Sequence, residues 1–150
     1  VDRLDPHRTL GLDLLFSDAH TKRRVLASNP ATRPDMRLAA HALFAHDGKP
    51  VSLIRDSAGF VTQRVVAHIV NIASDMCQQG ICSPADLDTA VTLGLGYPLG
   101  PLALGDRLGA DNLLEVLFNL QTVYGDPRYR PSPWLRRRGA LGLSLMQTED

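Results

Sequence analysis

Few side chains in this chain are of types and spacings that do chemistry. The histidines are His7, His20, His41, His46 and His68, and none belongs to an H-E-x-x-H motif or an i, i+4 pair, so the spacing indicates no metal site. His68 falls near the apolar sector of a long helical segment. A core or interface histidine with its hydrogen bonds made is expected there, with a catalytic base as the other reading. Cys77 and Cys82 lie five residues apart across the end of that segment. Two thiols are too few for a disulfide scaffold or an all-thiolate zinc site, and free thiols are expected. Ser57 lacks the G-x-S-x-G elbow of a serine nucleophile. The stretch Gly94-Leu95-Gly96-Tyr97-Pro98-Leu99-Gly100-Pro101 suggests a phosphate loop. It has neither the Lys-Ser/Thr pair nor G-x-G-x-x-G, and reads instead as a rigid connector between helices. The runs Arg136-Arg137-Arg138 and Lys22-Arg23-Arg24 can meet phosphates, but such runs are expected as solvated faces. Gln63, beside Arg64 near the start of the long helical segment, can hydrogen-bond either nearby backbone or a ligand carbonyl.

The elements that position these residues follow from periodicity and punctuation. Residues 9–16 predict a short strand, 17–24 a loop and 25–28 a second strand. Thr32 is placed to cap a helix whose stripe is Met36, Ala39, Ala40, Leu43 and Phe44, ending near Gly48. A strand over 50–55 completes a strand-helix-strand unit, which implies parallel pairing. From Gly59 onward the period is helical. The longest helix is expected over 60–79, with Val61, Val65, Ile69, Ile72 and Met76 on one face and Val66, Val70, Ala73 and Cys77 widening it. A stripe that wide belongs to a helix buried on more than one side. Glutamate at Ile69 or Val70 should therefore unfold or dissociate the domain, because an unpaired buried charge is costly.

Ser83-Pro84-Ala85-Asp86 starts a short helix with Leu87, Ala90 and Val91 facing inward. Pro101 starts another that ends at Gly109. A further helix over 112–124 has Leu113, Val116, Leu117, Leu120 and Tyr124 at core spacing, and Ser132-Pro133 opens the last.

Composition sets the outer bounds. The 150 residues are 44% hydrophobic and 21% charged, which is ordinary for a folded domain and rules against disorder. Sixteen basic and sixteen acidic residues cancel, so the basic excess of a general nucleic-acid binder is missing. No apolar run is long enough to span a membrane. The low cysteine usage and the lack of a visible signal peptide point to a reducing, cytoplasmic setting. A chain that opens on Val1 is expected to be part of a longer polypeptide.

Four ordered segments give residues 56–138 a specific resemblance. They are Asp56-Ser57-Ala58-Gly59-Phe60-Val61-Thr62-Gln63-Arg64, Gly80-Ile81-Cys82-Ser83-Pro84-Ala85-Asp86-Leu87-Asp88, Leu93-Gly94-Leu95-Gly96-Tyr97-Pro98-Leu99-Gly100-Pro101 and Gly125-Asp126-Pro127-Arg128-Tyr129-Arg130-Pro131-Ser132-Pro133-Trp134-Leu135. Together they resemble the C-terminal helical domain of the L-3-hydroxyacyl-CoA dehydrogenases. The resemblance implies a mainly α fold: a strand-helix-strand remnant over 1–55, like the end of a Rossmann-like domain, then a helical domain over 56–150.

It also implies a function. Family members oxidise 3-hydroxyacyl-CoA to 3-oxoacyl-CoA with NAD, which an upstream domain binds together with the catalytic His-Glu pair. The helical domain covers the acyl-CoA cleft and forms most of the dimer contact. The family's one polar contribution from this domain is the asparagine of G-F-x-x-N-R, and Gln63 stands at that position here, one methylene longer. The histidine motif and the glycine-rich NAD fingerprint are missing, so the isolated chain is expected to be inactive and to bind no cofactor itself. The sequence is similar to the second copy in members that carry the helical domain twice. The expected partners are the upstream NAD-binding domain, the acyl-CoA substrate and a second helical domain, in a homodimer or within one chain. The alternative is a helical interaction module that kept the fold but not acyl-CoA binding.

Overall fold

The structure is a computed structural model that describes residues 4–15 and 21–148. Phe16, at the end of the first expected strand, and His20 lie outside the described residues. Contacts divide the chain into two units, residues 1–62 and 63–150.

The first unit is a three-stranded sheet with one helix. Strands β1 (Leu10–Leu12), β2 (Arg24–Ser28) and β3 (Val51–Arg55) lie in that order. β1 is antiparallel to β2, while β2 and β3 are parallel with Leu26 opposite Leu53. The parallel pair is the expected strand-helix-strand unit, with α1 (Pro34–Ala45) as its crossover. Thr32 does not cap α1: its hydroxyl donates to the Thr9 carbonyl at 2.9 Å, and the helix starts behind Arg33 with Pro34 in the first turn. Proline fits there because that position needs no N–H donor. The buried stripe of α1 is narrower than the periodicity suggests. Met36, Ala40 and Phe44 are half-buried, whereas Ala39 and Leu43 are exposed.

Arg24 ties β2 to the end of α1, donating to the Phe44 carbonyl at 2.5 Å and to both Asp47 oxygens at 2.6 and 2.8 Å. This pairing removes Arg24 from the expected solvated run. It holds the Asp47 carboxyl well below the usual carboxylate range, chiefly through the Arg24 hydrogen bond. Gly11, in the middle of β1, leaves room for an aromatic ring: a Cβ there would lie 3.2 Å from Phe60 Cζ.

The second unit is helical: α2 (Thr62–Gln78), α3 (Pro84–Leu95), α4 (Pro101–Leu108), α5 (Ala110–Tyr124) and α6 (Pro133–Leu141). Its core gathers Ala67, Val70, Leu102, Leu113, Leu117 and Leu135, all fully buried. Ser83 caps α3, with its hydroxyl accepting from the Asp86 N–H at 3.1 Å, and Ser132 caps α6 by accepting from the Leu135 N–H at 3.2 Å. α2 begins two residues later than the apolar pattern suggests. Gly59 and Phe60 have φ of 72° and 47°, which a right-handed helix cannot accommodate. The segment after α6 is clasped to the core: Leu145 is fully buried, its N–H donates to Asp106 at 2.7 Å, and its carbonyl accepts from Trp134 Nε1 at 3.1 Å.

Candidate functional site

The left-handed Gly59-Phe60 pair ends the preceding turn, and α2 starts at Thr62 with Gln63 and Arg64 in its first turn, both half-buried. The Arg64 guanidinium lies 4.6 Å from the Tyr124 ring centroid and donates to the Tyr124 hydroxyl. Tyr124 is therefore 45% exposed and holds an arginine, rather than filling the core as its spacing suggested. Next to it stands Tyr129, at 5.8 Å between ring centroids, and the ring of His68 meets Tyr129 edge-on at 6.1 Å. His68 is half-buried. Its Nδ1 is buried with no hydrogen-bond partner among the described residues, so the expected satisfied histidine is not what the fold provides.

Asn71 anchors the segment carrying Tyr129. Its amide donates to the Arg130 carbonyl at 2.9 Å and its oxygen accepts from the Ser132 N–H at 2.8 Å. The Arg128 backbone N–H and then its guanidinium hold the Asp126 carboxyl below the usual range, and His68 acts in the same direction. The arrangement presents a guanidinium and two phenols on one side of α2, with the Gln63 amide in the same first turn as Arg64. These can bind and orient a carbonyl or carboxylate. Among the described residues no carboxylate hydrogen-bonds to His68, so they form no acid-base relay.

The glycine-rich stretch serves the fold from within. α3 runs on to Leu95 and ends at left-handed Gly96, and Gly100 precedes α4. The buried Asp88 carboxylate of α3 accepts from the Leu102 and Ala103 N–H groups, each at 2.9 Å. An internal carboxylate thus occupies the anion position that a phosphate would take at this helix start. Gly100 is required by that approach, since a Cβ there would lie 2.2 Å from Asp88 Cγ.

The face of α2 expected to be buried is largely open. Val61 is 54% exposed, Val65 49% and Ile72 49%, whereas Val70, Ala73 and Cys77 on the adjoining face are buried in the core. Ile69, Ile72 and Met76 instead line one wall of a groove of about 380 Å³, and Leu87, Val91 and Leu95 of α3 line the other. Cys82 also lines this groove, while Cys77 is buried beneath it. Both thiols are free, and burial pushes the Cys77 thiol up to about 11.

The arginine run divides three ways. Arg138 is buried, 3.1 Å from the Trp134 ring centroid, and donates to the Gln147 carbonyl at 2.6 Å. Arg137 donates to Gln78, and Arg136 is exposed, so a solvated face describes the run only in part. Among the described residues, no group of three or more His, Cys, Asp or Glu side chains could hold a metal ion, and no helix is long and apolar enough to cross a membrane.

A family model described as 3-hydroxyacyl-CoA dehydrogenase, C-terminal domain, matches residues 59–149. The chain is 49% identical over 134 residues to the 3-hydroxyadipyl-CoA dehydrogenase of Escherichia coli K12, covering 88% of this chain and 28% of that protein. It is 33% identical over 132 residues to a probable 3-hydroxybutyryl-CoA dehydrogenase of Bacillus subtilis, covering 88% of this chain and 46% of that one. The crystal structure of (S)-3-hydroxybutyryl-CoA dehydrogenase from Ralstonia eutropha superposes with a TM-score of 0.81 at 30% identity, over 87% of this chain and 49% of that one. The chain thus spans less than half the length of these relatives.

Proposed function

The chain belongs to the C-terminal-domain family of the 3-hydroxyacyl-CoA dehydrogenases, and on that premise we propose that it serves as the helical domain of an NAD-dependent enzyme oxidising 3-hydroxyacyl-CoA to 3-oxoacyl-CoA. Its part is to cover the acyl-CoA cleft and to pack against a second helical domain. The observation that carries this reading is the first turn of α2, where Gln63 follows the left-handed Gly59-Phe60 pair and is half-buried next to Arg64, whose guanidinium lies against Tyr124. An amide there can donate to the thioester or 3-oxo carbonyl and orient it.

Binding NAD falls to an upstream domain. The turn from β2 into α1, Asn29 to Arg33, has no glycine, and Pro34 stands at the start of the helix. A pyrophosphate needs glycine for close backbone approach and free N–H groups at the helix start, so these residues do not fit a dinucleotide.

The open face of α2 and its groove with α3 supply the pairing surface, whether the second domain comes from another subunit or from the same chain. Nearly the same matched length is 28% of the E. coli relative and 46% of the B. subtilis one, so the more similar relative is much the longer. That supports the second-copy reading, in which both helical domains lie in one polypeptide. A cytoplasmic location and a role in fatty-acid β-oxidation accord with CoA chemistry of this kind.

Calorimetric titration of acetoacetyl-CoA into the chain, with Gln63→Ala beside it, tests the cleft role. Binding weakened by the substitution upholds it. Unchanged or undetectable binding in both assigns the chain to packing alone, the reading favoured by the longer side chain at the asparagine position.

A further inference from the structure

We propose that Cys82 and Cys77 form a redox-active dithiol, which a hydroperoxide closes into a disulfide across the end of α2. The local fold brings the two residues together. α2 gives way to Gly80, whose φ of 68° lets the chain turn back. The Gly80 N–H donates to the Cys77 carbonyl at 3.0 Å and the Ile81 N–H to the Met76 carbonyl at 3.1 Å, so residues 80 and 81 are pinned to the last turn of α2. On the other side Ser83 is fixed as the cap of α3. Cys82 stands between these two anchors. Ile81 is 60% exposed, whereas Cys82 packs against the apolar cluster that contains Cys77.

The two sulfurs differ in the way such a pair requires. Cys82 is half-buried and lines the groove between α2 and α3, where a small oxidant reaches it. Cys77 is buried in the core. Burial, and after it the neighbouring Cys82 thiol, push the Cys77 thiol up to about 11. Cys77 is therefore shielded from oxidants in solution and acts on a sulfur delivered beside it. Both thiols are free, so the pair starts reduced. An exposed thiol with a resolving thiol next to it is the arrangement of a redox sensor.

The chemistry balances with the hydroperoxide as oxidant. The Cys82 sulfur attacks the outer peroxide oxygen, the O–O bond breaks, and the alcohol or water leaves with the Cys82 proton. Cys82 is then a sulfenic acid. The Cys77 sulfur attacks the Cys82 sulfur. The S–S bond forms, the S–O bond breaks, and the hydroxyl leaves as water with the Cys77 proton. The two thiols lose two electrons and the peroxide gains them. Closure draws the Cys82 sulfur from the groove wall toward the core, and so alters the surface assigned above to domain pairing. That consequence rests on the pairing reading, while the dithiol itself does not.

The test exposes the reduced chain to hydrogen peroxide, alkylates it under denaturing conditions and reads the intact mass. Ile72→Glu is treated in parallel, because its groove stays open whatever the wild type pairs with. The expected product is lighter than the reduced chain by two hydrogens, takes up no alkylating agent and is restored by dithiothreitol. Closure should quicken as pH rises toward about 11. Cys77→Ala should stop at a sulfenic acid that dimedone traps, and Cys82→Ala should keep its thiol. The wild-type and Ile72→Glu masses decide the matter even if a cysteine variant fails to fold. No oxidation in either protein, oxidation of Cys82 onward to a sulfinic acid without closure, or a disulfide between two chains would overturn the proposal. Closure in Ile72→Glu but not in the wild type upholds the dithiol together with the pairing surface. Equal closure in both upholds the dithiol and counts against that surface alone.

Discussion

Replacing Asp88 with alanine strips one buried and one half-buried N–H group, those of Leu102 and Ala103, of their only described acceptor. The carboxylate is 8% exposed and accepts from Leu102 and Ala103 at 2.9 Å each, at the positive end of the α4 dipole. A hydrogen bond to a charged group contributes about 1.5–3 kcal/mol net, so two of them at the low end give a loss of about 3 kcal/mol. For a unit of this size that corresponds to roughly 12–24 °C in Tm. Asp88→Asn keeps one acceptor but turns its amide donor toward the other N–H, and about 2 kcal/mol is expected there. The assay is urea unfolding followed by fluorescence of Trp134, the single tryptophan, which lies in the same helical unit. Amide exchange at Leu102 and Ala103 adds a local readout, and both protons should exchange faster in the variants. If Asp88→Ala cost less than about 1 kcal/mol and left those two amides protected, the claim that an internal anion organises the glycine-rich stretch would be wrong.

Further outcomes follow from burial. Ile72→Glu, at a 49% exposed position, should leave the fold intact and abolish domain pairing, whereas Val70→Glu, fully buried, should unfold the helical unit by several kcal/mol. Circular dichroism and sedimentation together separate them, and a paired, folded Ile72→Glu variant would contradict the assigned surface. Cys82 should react with a thiol reagent well before Cys77 in the native protein, since Cys77 is 7% exposed. Because burial raises the Cys77 pKa, the folded state favours its neutral thiol. That contribution is full below the unfolded value of about 8.5 and is lost as pH rises toward about 11. Cys77→Ala should flatten the stability profile across that window, as measured by denaturant unfolding at stepped pH.

What could be read from the sequence was local. Ser83 and Ser132 cap their helices because the serine, the following proline and the first turn are adjacent in the chain. The parallel pairing of β2 and β3 followed from the helix between them. What could not be read depends on partners far along the chain. Asp88 caps a helix that starts thirteen residues later, and no spacing rule connects the two. Tyr124 has core spacing on α5, but Arg64 on α2 draws it to the surface. Periodicity identified α2 as apolar on two sides and could not say which side its own domain covers. The answer is the Val70, Ala73 and Cys77 side, which the pattern treated as the margin. At the candidate site, the resemblance singled out Gln63, while Tyr124, Tyr129 and Asn71 needed the fold to bring residues some sixty apart into one neighbourhood.

The gap at Gly11 has a consequence for how this protein can change over generations. The tip of the Phe60 ring lies 3.2 Å from where a Cβ at position 11 would stand, and Phe60 itself holds a left-handed backbone that costs a bulky residue strain. The two positions constrain each other, since a methyl at position 11 would press on the ring tip and the ring would have to give by a few tenths of an ångström. A lineage that shrinks the residue at 60 frees position 11 to acquire a side chain, and one that fills position 11 first must shift the ring. Substitutions at these two sites, forty-nine residues apart, should therefore be inherited as a pair.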